Sequence, residues 1–295
     1  MRWLITGANG QLGRSMARLL TSYGEEFRAL SSSELDISDE AAVNNILNSI
    51  MPEIVVNAAA YTAVDKAESE HDLAYKVNET GPSLLALWCA GNAARFVHVS
   101  TDYVFSGEGR IAWKEDDDVN PQSVYGASKL AGEGAVLQVC PEAIILRTAW
   151  VFSEYGNNFV KTMLRLAQQR DQLSVVADQI GCPTYAGDIA QAIYSLMQQS
   201  EREGGEVTGI YHFAGDVAVS WWAFAREIHQ QALKAGLIGK CPALVAIPSS
   251  EYPTPATRPV FSVLDCSRIV ATGIAPSDWK AALETVIFSI QSEGL

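Results

Sequence analysis

At 295 residues the chain is long enough to bury a sizeable core and lies near the length at which one domain gives way to two, so one large and one smaller domain are expected. Its 48% hydrophobic and 19% charged content, with no apolar run long enough to span a bilayer, reads as a globular protein without a membrane partner. A formal charge of −13 argues against a nucleic-acid partner, and five cysteines without a Cys-x-x-Cys pair argue against a disulfide framework or a zinc site and for a reducing compartment. The apolar stretch at 2–5 is too short for a signal peptide, so a cytoplasmic location is expected.

In chain order, short apolar runs at 3–6, 27–30, 54–57, 96–100 and 143–147 read as strands. Helical patterns at 11–23, 40–49, 72–90 and 125–139 separate them. The alternation predicts an α/β fold with a doubly wound parallel sheet. A flavodoxin-like sheet is the alternative, and the glycine turn after the first strand favours the Rossmann type. Further on come a helix at 158–170, a strand at 174–176, a helix at 188–199 and a strand at 210–213, then a proline-rich stretch from Pro242 to Pro259 that suits pocket-forming loops. The expected division is a dinucleotide-binding part, 1–149 plus about 173–216, and a smaller substrate-binding part, about 150–172 plus 217–295.

Thr6-Gly7-Ala8-Asn9-Gly10-Gln11-Leu12-Gly13 follows a strand and opens a helix. Backbone amides at such a helix start can cradle a pyrophosphate with no Cβ in the way. An acidic residue at the end of the second strand would accept hydrogen bonds from an adenosine ribose 2′-hydroxyl. Here Leu30 is followed by Ser31-Ser32-Ser33, with Arg28 nearby, so NADPH is expected to serve at least as well as NADH. Asp36 and Ile37 either flank the adenine or, for Asp36, cap the next helix.

Tyr125-Gly126-Ala127-Ser128-Lys129 places a phenol and an ammonium four residues apart, on one helix face. A nearby cation favours the ionised phenol, so Lys129 can tune Tyr125. Ser100-Thr101-Asp102-Tyr103 ends an apolar strand at the edge where doubly wound folds bind ligands, which makes Thr101 a hydroxyl for a substrate carbonyl, with Ser100 competing. Because the implied ligands are anions and the chain is acidic, local positive groups are needed. Helix N-termini, Lys129, Arg147 and Arg258 are the candidates.

Glycine turn, strand-end Ser-Thr and Tyr-x-x-x-Lys in this order resemble the extended short-chain dehydrogenase/reductase family. Several longer segments narrow the resemblance: Asn57-Ala58-Ala59-Ala60-Tyr61-Thr62-Ala63-Val64-Asp65, Ser100-Thr101-Asp102-Tyr103-Val104-Phe105, Arg147-Thr148-Ala149-Trp150-Val151-Phe152, Asp178-Gln179-Ile180-Gly181-Cys182-Pro183-Thr184 and Pro253-Thr254-Pro255-Ala256-Thr257-Arg258-Pro259. Over nearly the whole chain they are similar to the dTDP-4-dehydrorhamnose reductases. The resemblance implies reduction of the carbon-4 keto group of a dTDP-6-deoxy-hexulose to dTDP-L-rhamnose by NADPH or NADH. It implies that Thr101, Tyr125 and Lys129 are catalytic, and that Gly7, Asn9, Gly10, Gln11, Leu12, Gly13, Ser31, Asp36, Ile37, Ala58, Ala59, Ala60, Tyr125 and Lys129 hold the cofactor. Thr62, Val64, Asp102, Tyr103, Trp150 and Arg258 would contact the sugar nucleotide.

One departure concerns the magnesium-bridged dimers of some members, which use a glutamate on the first helix. Gly13-Arg14-Ser15-Met16 has no carboxylate there, so no metal is expected and a homodimer stays open. Dehydratases of the wider family follow the threonine with Asp-Glu, whereas Asp102-Tyr103 here favours simple reduction. Two alternatives remain at this point: a reductase giving the 6-deoxy-L-talose product, and a non-catalytic NADP-binding regulatory subunit.

Overall fold

The computed structural model describes residues 1–202 and 207–293. Strands β1 (Arg2–Thr6), β2 (Glu26–Leu30), β3 (Ile54–Asn57), β4 (Arg95–Thr101) and β5 (Ile144–Thr148) form the first half. Short strands β6 (Val151–Phe152), β7 (Gln172–Val176), β8 (Ile180–Gly181) and β9 (Thr184–Tyr185) precede β10 (Gly209–His212), β11 (Val219–Ser220) and β12 (Ala243–Ile247). A six-stranded parallel sheet runs β10-β5-β4-β3-β1-β2. β3 and β5 are buried at every position, as strands covered on both faces must be, which is why they read as unbroken apolar runs. The chain leaves β1 for β2 and returns to the other side of β1 with β3, so the switch point lies between β1 and β3.

Helices cover both faces. On one, α1 (Gln11–Tyr23) contributes Leu12, Met16 and Leu20, and α8 (Ala186–Arg202) contributes Ile189, Ile193 and Leu196, all packed on Ile5, Val56, Val97 and Leu146. The other face carries α2 (Glu40–Ile50), α5 (Gly81–Gly91) and α6 (Val124–Val139), whose Leu47, Leu85 and Val136 meet Leu4, Val55 and Ile145. Between β3 and α5 lie two short helices, α3 (Val64–Ala67) and α4 (His71–Tyr75).

The helix expected over 72–90 is instead three pieces: α4, a π-helical turn Lys76–Thr80, and α5. Pro82 sits in the first turn of α5, where a missing N–H costs nothing. The π turn carries Asn78, whose side chain is needed elsewhere.

A second core cluster is built by α7 (Phe159–Gln169), α9 (Trp221–Lys234) and, after the one-turn α10 (Ser267–Val270), α11 (Trp279–Glu293), with Phe152, Leu173, Val175 and Tyr185. Strand β7 pairs in parallel with β12, not with the large sheet, so residues 172–176 pack with this C-terminal cluster, while α8 and β10 pack with the sheet. β12 itself is a strand that the proline-rich texture around it concealed. No helix among the described residues is long and apolar enough to cross a membrane.

Candidate active site

The carboxyl ends of the parallel strands gather the predicted residues along one edge. After β1, Gly7 adopts φ +72°, and a Cβ there would lie 2.7 Å from the Ala58 carbonyl oxygen. A Cβ on Gly13 would lie 2.2 Å from the Gly7 carbonyl oxygen. Gly10 donates its N–H to Gly7 at 2.9 Å and stands at the start of α1, which has no side-chain cap. Those first-turn amides are therefore open to an anion, beside a turn too tightly packed on backbone for any Cβ at Gly7 or Gly13. Residues Asn9 and Gly10 are exposed, and Leu12 faces the core, so it can contribute only its backbone. Gln11 is engaged otherwise. Its side chain donates to the Val151 carbonyl at 3.2 Å and accepts from Ser153 and Asn158 at 2.9 and 3.0 Å.

At the end of β2 the structure supplies an acid that the run of serines did not reveal. Glu34 turns back and accepts from the Ser31 hydroxyl at 2.6 Å and the Ser31 N–H at 2.9 Å, which holds its carboxyl below its usual range. The absence of negative charge beside Ser31, from which an NADPH preference was expected, does not hold. Asp36 is exposed and accepts from the N–H and hydroxyl of Ser38, while Asp39 caps α2 by accepting from Ala42. Ile37 is buried, against Gly81.

Thr101 closes β4. Its hydroxyl donates to Asp102 at 3.0 Å and accepts from the Tyr103 N–H at 3.2 Å, and it stands near enough to the Tyr125 phenol to favour the ionised form. Tyr125 lies in the first turn of α6, which Ser123 caps by accepting from Gly126 at 3.2 Å. The rings of Tyr103 and Tyr125 meet edge to face with centroids 5.4 Å apart. Burial pushes the Tyr125 phenol up to about 12, against the opposing effect of Thr101 and with a further rise from Asp102. Burial likewise raises Asp102 to about 6.

The expectation that Lys129 supplies a charge to Tyr125 is not met in this arrangement. Lys129 is buried, its amine donates to the Val99 carbonyl at 2.7 Å and lies 3.2 Å from His98 Nε2. Burial lowers it to about 8, opposed by Glu133 one turn along α6.

Two further elements shape the edge. Asn78, in the π turn, donates to the Tyr61 carbonyl and to Ser128 at 3.1 and 3.0 Å and accepts from the Tyr61 N–H at 2.8 Å. It thereby ties the segment 58–62 to α6. Along that segment Ala58, Ala59 and Ala60 are half-buried, Thr62 is exposed and Val64 is half-buried at the start of α3. A π turn within a helix often marks a functional site, and no sequence pattern announces it.

Trp150 follows β5 with φ +47°, an uncommon conformation for a bulky residue. Its indole stacks on Trp221 of α9 with centroids 3.5 Å apart and planes 7° from parallel. Gly181 makes room on the same indole: a Cβ there would sit 2.4 Å from Trp150 Cε2. Neither Trp221 nor Gly181 stands out in sequence.

Two expected cations are already paired. Arg147, fully buried, donates to Glu133 at 2.7 to 3.2 Å, and Glu133 also accepts from Ser100 at 2.5 Å. This removes Arg147 as an anion-binding group and Ser100 as a rival to Thr101. Arg258 holds Asp65 with both terminal nitrogens, at 3.0 and 2.8 Å, while the Ala256 N–H donates to the same carboxylate. Within Gly13–Met16, the stretch without a carboxylate, Ser15 donates back to the Gln11 carbonyl. Among the described residues no cluster of His, Cys, Asp or Glu could hold a metal.

This geometry brings the glycine turn and the Thr101 and Tyr125 hydroxyls to one sheet edge, and the chain is similar over its length to known proteins. A family model described as the RmlD substrate binding domain matches residues 1–292. The chain is 49% identical to the dTDP-4-dehydrorhamnose reductase of Aggregatibacter actinomycetemcomitans, over 97% of this chain and 98% of that protein. It is 41% identical to the enzyme of the same name from Salmonella typhimurium, over 91% and 90%. Among solved structures, a dTDP-4-dehydrorhamnose reductase from Clostridium acetobutylicum superposes with a TM-score of 0.91 at 40% identity, over 99% of this chain and 100% of that one. The Bacillus anthracis enzyme, solved in complex with NADP, gives 0.90 at 36% identity, over 98% and 99%. A UDP-glucose 4-epimerase from Thermus thermophilus, 20% identical, shares the fold at 0.81 over the full length of both. Conserved in length, sequence and architecture with these reductases, the chain belongs to the dTDP-4-dehydrorhamnose reductase family.

Proposed function

We propose that this chain reduces the carbon-4 keto group of dTDP-4-dehydro-6-deoxy-L-mannose to give dTDP-L-rhamnose. The reading is carried by the Thr101–Tyr125 hydroxyl pair standing at the same strand edge as the Gly7–Gly13 cradle. The cradle fits a nicotinamide dinucleotide, because Gly7 and Gly13, packed on backbone where no Cβ fits, hold a tight turn that leaves the first amides of α1 without a side-chain cap. That cofactor, NADPH or NADH, supplies the hydride. The part built on the six-stranded sheet takes the dinucleotide, and the part built around α7, α9 and α11 takes the sugar nucleotide.

Thr101 orients the keto oxygen by hydrogen bonding. Tyr125, held protonated by burial, donates its proton to the oxygen as negative charge develops there. Lys129 holds a ribose hydroxyl of the cofactor and, once charged, eases loss of the phenolic proton. Tyr103, Trp150 and Val64 line the sugar, and the Arg258–Asp65 pair stands at its nucleotide end.

Consumption of NADPH with the 4-keto sugar nucleotide, followed by NMR of the product, tests the reading. A rhamnose product is expected. A talose configuration would reassign the sugar face, and no oxidation with any 4-keto-6-deoxy sugar nucleotide would remove the reductase function.

A further inference from the structure

Beneath the site a row of buried polar side chains crosses the sheet, and the proposed chemistry uses only its last member. Thr6, Asn57 and His98 stand side by side at matched positions of β1, β3 and β4. Lys129 closes the row from α6, and none of the four is more than 1% exposed. Thr6 donates to Asn57 Oδ1 at 2.6 Å, and the Ala59 N–H donates to the same oxygen at 3.3 Å. Asn57 Nδ2 faces His98 Nδ1 at 3.0 Å, and His98 Nε2 faces Lys129 Nζ at 3.2 Å.

The direction of these hydrogen bonds is set from one end. The Thr6 hydroxyl, which also accepts from the Ala59 N–H at 3.4 Å, has Asn57 as its acceptor, so the side of the amide beside Thr6 and Ala59 is its oxygen and the other side is its NH2. An NH2 group donates. His98 Nδ1 must then accept, and a neutral ring carries its hydrogen on Nε2, aimed at Lys129. An ammonium there has no lone pair and would set hydrogen against hydrogen. A neutral amine accepts from Nε2 while still donating to the Val99 carbonyl at 2.7 Å. Exchanging the ring tautomer moves the conflict to Asn57. Turning Asn57 leaves the buried Thr6 hydroxyl without its acceptor and the Ala59 N–H with only its longer contact to Thr6 Oγ1.

We propose that His98 is a positioning residue for Lys129: fixed through Asn57 as the Nε2–H tautomer, it selects the neutral amine and keeps it at Val99, so that Lys129 takes up a proton on leaving this row. Resting on the reading of Lys129 as the ribose-binding group, this makes nucleotide binding a proton-linked step. The charged groups around the row are consistent with it. Glu133, which opposes the loss of charge from the same helix, is itself held by Arg147 of β5 and Ser100 of β4. Tyr125 and Asp102 face Thr101, and Asn78, from the π turn, meets α6 through Ser128 without charge. Burial keeps His98 itself well below its ordinary value, which disfavours the imidazolium.

Nitrogen NMR of the nucleotide-free protein carrying 15N-histidine tests the tautomer directly, with His98 assigned by its loss in H98Q. The expected result at pH 9, above the Lys129 midpoint, where the neutral amine prevails, is an unprotonated Nδ1 and a protonated Nε2. The Lys129 13Cε resonance, assigned by its loss in K129M, should titrate near the value of about 8 to which burial lowers it. N57D offers carboxylate oxygens on both sides, which reverses the tautomer, and should raise that midpoint by about one unit or more. A His98 hydrogen on Nδ1 in the unaltered protein, or an ordinary lysine midpoint, overturns the proposal, and neither reading depends on N57D folding. Calorimetric titration with NADPH above pH 8, in two buffers of different ionisation enthalpy, should show proton uptake approaching one per site. With the tautomer as expected, absence of uptake would overturn the link to nucleotide and the ribose role of Lys129, leaving the His98–Lys129 contact standing.

Discussion

Tyr125 and Lys129 share a helix face, as their spacing requires, yet only one of them points at the strand-end hydroxyl. Tyr125→Phe removes the proton donor and none of the cradle, so turnover should fall by about 10²- to 10⁴-fold with NADPH affinity nearly unchanged. Steady-state rates beside fluorescence titration would separate the two effects. Near-normal turnover would exclude Tyr125 as the donor, and Lys129→Ala should impair both quantities.

Asp102, raised by burial to about 6, makes a prediction on stability. The folded chain holds this proton more tightly than the unfolded chain, so its stabilising contribution is full below the unfolded carboxylate value of about 4. It is lost as pH rises through 6. From pH 5 to pH 8 the loss is about 1 kcal/mol. Buried histidines act in the opposite sense on acidification, because His212 is lowered to about 3 by burial and by Arg147. The comparison that isolates Asp102 is therefore urea unfolding of the unaltered protein against Asp102→Asn. The stability gap should widen in favour of the variant between pH 5 and pH 8, and a constant gap would refute the assignment.

At the scale of elements, strands and their order of appearance were legible because parallel strands buried on both faces must be apolar throughout. The glycine turn was legible for the same kind of reason, since Gly7 and Gly13 meet backbone at distances no Cβ tolerates. What escaped was whatever depends on partners distant in sequence. The π turn at Lys76–Thr80 exists alongside Asn78, which reaches Tyr61 and Ser128, and no local preference encodes that. Strand β12 hid in a proline-rich stretch because its pairing partner, β7, lies some seventy residues earlier. Glu34 was overlooked because its return to Ser31 depends on a turn and not on the strand end itself. Gly132 tests how tightly α6 meets the π turn: a Cβ there would stand 2.0 Å from the Asn78 carbonyl oxygen. Gly132→Ala should cost at least about 2 kcal/mol in chemical denaturation, because the obstacle is backbone that cannot rotate away. A neutral result would mean that the two elements separate easily.

For the whole molecule, the most informative contact is the one between Asp65 and Arg258, which joins α3 to the C-terminal loops across 193 positions of sequence. The side chains are 40% and 26% exposed, so the pair adds little to stability, about 1 kcal/mol or less. Arg258→Ala should therefore leave the thermal midpoint nearly unchanged while raising KM for the sugar nucleotide more than it lowers kcat. Equal losses in kcat and kcat/KM would shift its role to the transition state. The sequence could nominate Arg258 but could not show its partner, since an ion pair between such distant segments exists only once the fold has formed.

Gln11 has a comparable reach at the other end of the chain. It opens the first helix, but all three of its side-chain partners, Val151, Ser153 and Asn158, lie about 140 residues later. As the chain emerges from the ribosome, the glycine turn is made first and secured by Gln11 only once synthesis has passed the middle of the chain. A nascent chain ending before Val151 would carry the glycine turn without its latch, and should capture nucleotide only after the following segment has been added.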